Sequence, residues 1–296
     1  MKIKYLILNL ILFVCINVFP QQLPTKLLFP EGTKVFRDIE YAKSEGVKLL
    51  MDIYIPESEK PLPLVVWIHG GGWKSGSKEN CYPAMRLLSY GYAIASINYR
   101  LTGIASFPAQ LEDCKSAIRF LRANGTKYNI NTEKIGVWGA SAGGHLAALL
   151  GTTGDIKDFD KGYYIGFSSK VQAVCDYFGP SSIGDMIGKT SGGSGNSPEE
   201  LIKLLIGKEQ DNFKEKAKRA SPITYVNSAS APFFIVHGEK DNVVPVSQSE
   251  MLYNALVKAG VDAQLYIIKG AGHGGPEFIK QDVIDKVVSF FDKYIR

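Results

Sequence analysis

Several short stretches of this sequence hold reactive residue types at spacings that could support chemistry. Gly139-Ala140-Ser141-Ala142-Gly143-Gly144 sets a serine among residues with little or no side chain. Such flanks permit a sharp backbone reversal that leaves the hydroxyl exposed and lets neighbouring backbone come close. In isolation, a capping serine in a glycine-rich strand-to-helix turn would look the same. A hydroxyl is a poor nucleophile until a base takes its proton and an acid orients that base. His273, within Gly270-Ala271-Gly272-His273-Gly274, and Asp241, within His237-Gly238-Glu239-Lys240-Asp241, bring those two groups. Glu239 shares the second stretch and Asp176 ends an earlier apolar run, so both are rival acids. The place of Asp241 just ahead of Val243-Val244-Pro245 favours it.

Acyl transfer also builds negative charge on the carbonyl oxygen, which preorganised backbone N–H groups stabilise well. His69-Gly70-Gly71-Gly72-Trp73 offers such groups with no side chains in the way. Gly71 and Gly72, joined by Ala142 directly after the serine, are the candidate oxyanion donors. A phosphate cradle is the rival reading of three glycines, but no Gly-Lys-Ser/Thr ending follows. Trp73, Tyr177 and Phe178 are candidates for an apolar or stacking wall of a substrate pocket, with plain packing at the sheet as the alternative. The other histidines read first as structural: His69 holding the oxyanion loop, His145 packed behind Ser141, and His237 bracing the acid loop.

These residues need a scaffold, and the hydrophobic pattern supplies one. Val35 to Tyr41 and Val47 to Ile55 read as an antiparallel strand pair around Ser44-Glu45-Gly46. Leu64 to Ile68 is apolar throughout, as expected of a strand covered on both faces. A helix over Cys81 to Tyr90 and a strand over Tyr92 to Ile97 follow. Next come a helix over Phe107 to Ala123, a strand at Ile135 to Trp138 and a helix at Ala142 to Leu150. After a strand from Val171 to Tyr177 the pattern breaks. Residues 181–198 are rich in Ser and Gly, and Pro198 to Ala220 is polar and helical. Residues 181–220 are therefore the expected lid insertion. Strands at Phe233 to Val236 and Ala263 to Ile268, with helices at Ser247 to Ala259 and Phe278 to Tyr294, close the chain. Alternation of this kind predicts an α/β fold, with a mostly parallel central sheet and helices on both faces.

Composition narrows the classes. The chain has 296 residues, 45% hydrophobic and 21% charged, ordinary for a soluble globular protein. Lys2 and Lys4 ahead of an apolar run from Tyr5 to Pro20 read as a secretory signal peptide over residues 1–20, leaving 21–296 as one domain. That implies a secreted or periplasmic protein with no stable membrane insertion after cleavage. Cys15 follows Leu12-Phe13-Val14, a poor lipoprotein processing site. Beyond the leader, Cys81, Cys114 and Cys175 are too few for a disulfide framework and are expected to be mostly buried, unpaired thiols. The formal net charge of +5, of which Lys2 and Lys4 carry two, is dispersed and proposes no nucleic-acid groove. Four histidines without HExxH or CxxC companions give no support for a metal site or a cofactor.

Taken together, His69 to Trp73, Gly139 to Gly143, Asn98-Tyr99-Arg100-Leu101 and His237-Gly238-x-x-Asp241 with Val244-Pro245 resemble the hormone-sensitive-lipase-like branch of the α/β-hydrolases. More narrowly, the chain is similar to secreted bacterial acetylxylan and feruloyl esterases. The resemblance covers roughly residues 33–296. It implies the α/β-hydrolase fold, a Ser141, Asp241 and His273 triad, and oxyanion donors at Gly71, Gly72 and Ala142. The implied activity is hydrolysis of an ester on a small molecule or oligosaccharide, such as acetyl or feruloyl groups on xylan fragments. The chain departs from larger lipase-like relatives in having a short strand-rich leader where they have a helical cap. That argues for a more open pocket and against long-chain triacylglycerols. Rival readings are a broad carboxylesterase, a peptidase or arylformamide hydrolase of the same fold, and a non-catalytic binding protein.

Overall fold

The computed structural model describes residues 29–187, 197–207 and 211–296. The expected signal peptide, Cys15 and the glycine-serine run at 192–195 lie outside the described residues. Two strands open the fold, β1 (Lys34–Ser44) and β2 (Val47–Ile55), hinged at Glu45 and Gly46, both at positive φ. Then follow β3 (Leu62–Ile68), α1 (Tyr82–Met85), β4 (Ala93–Ile97), α2 (Ala109–Asn124), β5 (Ile130–Ala140), α3 (Ala142–Thr152) and β6 (Ala173–Tyr177). The chain continues with α4 (Pro198–Ile206), α5 (Phe213–Arg219), β7 (Phe233–Gly238), α6 (Ser247–Lys258), β8 (Ala263–Ile268) and α7 (Gln281–Ile295).

The strands form an eight-stranded sheet in the order β1-β2-β4-β3-β5-β6-β7-β8. β1 and β2 pair antiparallel, as do β2 and β4, and every later pairing is parallel. This is the α/β-hydrolase architecture. Alternation along β3 shows why the central strands are apolar throughout. Leu64, Val66 and Ile68 enter one core with Ile118 and Leu121 of α2, with Leu146 and Leu149 of α3, and with Leu252 and Leu256 of α6. Val65 and Trp67 enter a second core with Met85 of α1 and with Ile284, Val287 and Phe291 of α7. A strand buried on both faces has no polar side to show.

β5 runs from Ile130 to Ala140, where Ile135 to Trp138 was expected, and two expected helices differ from what forms. The helix at 81–90 is a single α-turn that tightens into a 3₁₀ turn over Arg86–Tyr90 and stops at Gly91, at φ 79°. The closing helix begins at Gln281, because Lys280 is extended (φ −60°, ψ 150°) after a separate 3₁₀ turn at Pro276–Ile279. Cys81, Cys114 and Cys175 are buried free thiols. Among the described residues, no helix is long and apolar enough to cross a membrane.

The order reverses at β3, whose neighbours are β4 on one side and β5 on the other. In open α/β sheets ligands bind outside the carboxyl ends of the strands near such a switch. The loops after β3, β5, β7 and β8 all leave from that end, and they carry His69 to Trp73, Ser141, Asp241 and His273.

Candidate active site

Ser141 sits between β5 and α3 with φ 56° and ψ −119°, a backbone state that side-chain-bearing residues rarely hold. Its surroundings leave room for little else. A Cβ on Gly139 would lie 2.1 Å from the Gly143 carbonyl oxygen, and one on Gly143 would lie 2.0 Å from that of Ile68. The Ser141 N–H donates to Tyr177 O (2.8 Å) and its carbonyl accepts from His145 N (3.0 Å). The hydroxyl makes no capping bond to α3. It lies 2.8 Å from His273 Nε2.

The other ring nitrogen of His273, Nδ1, is 2.7 Å from Asp241 Oδ2. Asp241 Oδ1 accepts from the N–H groups of Val243 and Val244, both at 2.9 Å, so the segment after the acid orients it. His237 Nε2 lies 3.2 Å from Asp241 Oδ2 and 2.8 Å from Val244 O, while its Nδ1 is 2.6 Å from Ser249 Oγ. A carbonyl only accepts, so Nε2 carries a proton. Burial works against a charged Asp241, but the hydrogen bonds from His237 and His273 outweigh it and hold the carboxyl well below the usual carboxylate range. The rival acids are elsewhere: Glu239 Oε2 accepts from Gly270 N (2.9 Å), and Asp176 Oδ1 from Gly179 N (3.0 Å).

Gly71, Gly72 and Trp73 follow one another at φ 110°, 60° and 58°. The Gly71 carbonyl accepts from Lys74 and Ser75 N–H groups, which folds the loop over itself. A Cβ on Gly71 would come 2.2 Å from Ser75 O. His69 stacks on Tyr99 with centroids 4.4 Å apart, and its Nδ1 donates to Gly70 O (2.8 Å). Trp73 Nε1 donates to His145 Nδ1 (3.1 Å), and His145 Nε2 donates to Ala220 O (2.6 Å). Full burial lowers the His145 pKa to about 4, which keeps the ring neutral and able to accept from the indole.

Beside Ser141 lies a narrow apolar cleft of about 30 Å³. Gly72, Trp73 and Ala142 line it with Ser141, together with Pro180, Leu201, Ile202 and Val244. Of the three aromatic residues expected at a substrate wall, Trp73 alone is placed there. Tyr177 is 1% exposed and donates its hydroxyl to Phe278 O. Phe178, at φ 42°, packs its ring against His273 (centroids 4.8 Å apart) and Phe278. Both belong to the second core, because the end of β6 turns them toward α7 and the turn before it.

A family model, BD-FAE, matches residues 51–256, spanning the loop after β3, the Ser141 turn and Asp241. The chain belongs to the BD-FAE family. Its relatives include Esterase LipC of Mycobacterium tuberculosis, 31% identical over 218 residues, which are 73% of this chain and 53% of that protein. The chain spans about half the length of the curated relatives it matches. Among solved structures it resembles a truncated carbohydrate esterase from gut microbiota, with a TM-score of 0.81 and 32% identity, covering 91% of this chain and 98% of that one. It also resembles an acetyl ester-xyloside bifunctional hydrolase from Caldicellulosiruptor lactoaceticus, with a TM-score of 0.67 and 28% identity over 83% of this chain and 86% of that one.

In this BD-FAE chain, sequence reasoning left out most of the cleft wall. Pro180, Met186, Leu201 and Ile202 carry no local signal, since only the packing of α4 and of the segment after β6 over the strand ends brings them to Ser141. Val243 and Val244 had one: they follow Asp241 directly, and the same two residues both orient the acid and line the cleft. The link from Trp73 through His145 to Ala220 was also invisible, because it joins residues 72 and 75 positions apart.

Proposed function

We propose that this chain is a serine carboxylic ester hydrolase that removes short acyl groups, acetyl foremost, from carbohydrate esters such as xylan fragments. The observation that carries the reading is the continuous chain of hydrogen bonds from Ser141 Oγ through His273 to Asp241, at 2.8 and 2.7 Å. His273 takes the Ser141 proton as the hydroxyl attacks the ester carbonyl, and Asp241 orients and stabilises the imidazolium. The N–H groups of Gly71, Gly72 and Ala142 receive the developing oxyanion. His273 then protonates the departing alcohol, and a water activated by the same ring releases the acid from the acyl-serine. No step calls for a cofactor.

The acyl group is argued from size. Pockets for drug-sized ligands run from about 300 Å³ upward, and the cleft here offers about 30 Å³. That favours acetyl over feruloyl. Carbohydrate as the alcohol is supported by the names of the two structural neighbours. The leader pattern at residues 1–20 supports placing the reaction outside the cytoplasm. The test compares acetate and ferulate release from substituted xylan oligosaccharides with cleavage of simple aryl esters. Acetate release should exceed ferulate release at least tenfold. Absence of any preference for a sugar ester would sink the carbohydrate part of the proposal.

A further inference from the structure

Leu201 closes the cleft where the glycine loop and α4 meet. A Cβ built on Gly72 would come within 2.6 Å of one Leu201 methyl and 3.1 Å of the other, so the isobutyl group rests directly on the oxyanion loop. The cleft contains Gly72 and Ala142, two of the three proposed oxyanion donors, and among the described residues its lining does not include His273. Because His273 must face the departing alcohol, this space lies on the acyl side of the ester.

The helix that carries Leu201 is fastened down. Ser197 Oγ accepts from Glu200 N while the Glu200 carboxylate accepts from Ser197 N, a reciprocal cap that fixes the first turn. Ile202, Leu205 and Ile206 are buried in the main core, and Leu205 O accepts from Phe107 N at 2.7 Å. The cap shapes the helix from within, and the buried inner face with the bond from Phe107 ties it to the body of the fold. The limit is then set by the side chain that fills the space.

We infer that Leu201 is a specificity-determining residue that sets the acyl length accepted at Ser141, an inference that rests on the ester hydrolase reading above. The cleft, about 30 Å³, is small beside the roughly 300 Å³ and more of typical ligand pockets, so it favours a short acyl group over a longer one. A single methylene in an apolar enzyme pocket discriminates substrates by about 10- to 200-fold. Removing the three outer carbons of the leucine should free space of the order a butyryl group needs.

The experiment measures kcat/KM for 4-nitrophenyl acetate, butyrate and hexanoate with the parent enzyme, Leu201→Ala and Leu201→Phe. The butyrate-to-acetate ratio should rise at least tenfold in Leu201→Ala and fall in Leu201→Phe. A ratio within twofold of the parent in both variants overturns the inference. If Leu201→Ala does not fold, Leu201→Val carries the same test with a rise of about threefold or more, and an unaltered ratio again overturns it. A parent enzyme inert toward all three esters would overturn the hydrolase reading itself, whereas an active parent whose ratios ignore residue 201 overturns only the role of Leu201.

Discussion

Among single residues, Asp241 is held by two backbone N–H groups and two histidines, far more than a surface carboxylate requires. In the proposed mechanism its task is to keep His273 Nδ1 protonated and aimed. Asp241→Asn should therefore lower kcat by about 10⁴-fold with the fold intact, as expected when the base is left in the wrong tautomer. Steady-state kinetics with a melting curve check this. Gly143→Ala should act differently, because its Cβ would meet Ile68 O at 2.0 Å inside the turn that shapes the proposed nucleophile. A loss of more than about 3 kcal/mol in urea unfolding is expected. Ser141, Asp241 and His273 were legible because each sits in a short motif whose residue types are fixed by local geometry. Tyr177 and Phe178 were misplaced for the opposite reason: which way an aromatic at a strand end turns is decided by Phe278, a hundred residues later.

Between elements, the loop after β3, the helix α3 and the end of α5 meet at one buried imidazole. Trp73 Nε1 donates to His145, and His145 donates to Ala220 O. Trp73 is also at positive φ beside Gly72, so its indole fixes the orientation of a proposed oxyanion donor. Trp73→Phe and His145→Leu should each lower kcat more than they raise KM. The double variant should lose no more than the worse single one, since both remove the same link. Losses that simply add would contradict the link. The elements themselves were largely readable from periodicity, with strands placed to within a few residues. The helix at 81–90 was not, because its apolar spacing serves equally for a tight 3₁₀ turn ended by Gly91.

For the molecule as a whole, stability rests on a doubly covered sheet with a few buried charges. Lys115 and Arg119 are both fully buried on α2, and they share Asp160 Oδ1 at 3.3 and 3.1 Å. Asp160→Asn leaves two buried cations without their anion and should cost about 3–5 kcal/mol, read as a fall in melting temperature. Asp176 gives stability a pH dependence. Burial raises its pKa to about 6 against the opposing hydrogen bond from Gly179, and its Oδ2 has no hydrogen-bond partner. Below about pH 4 it is protonated in both folded and unfolded chains. As pH rises to about 6 the unfolded chain ionises first, so the folded state loses up to about 3 kcal/mol. Asp176→Asn does not titrate and should gain on the parent between about pH 4 and 7. Denaturant midpoints with the same slope for both proteins would contradict this. The strand order follows from the alternation of strands and helices, so the sheet was foreseeable. Residues 181–220 were expected as a lid, but which of their side chains line the cleft beside Ser141 was not legible, because that depends on contacts between segments distant in sequence.

Every step proposed for this molecule begins with Ser141 as the nucleophile. Treatment with a fluorophosphonate, followed by intact mass spectrometry and peptide mapping, puts that serine to the test. One adduct per chain is expected, on Ser141, absent from Ser141→Ala and strongly slowed in His273→Ala. No adduct, or an adduct that persists in Ser141→Ala, would contradict it.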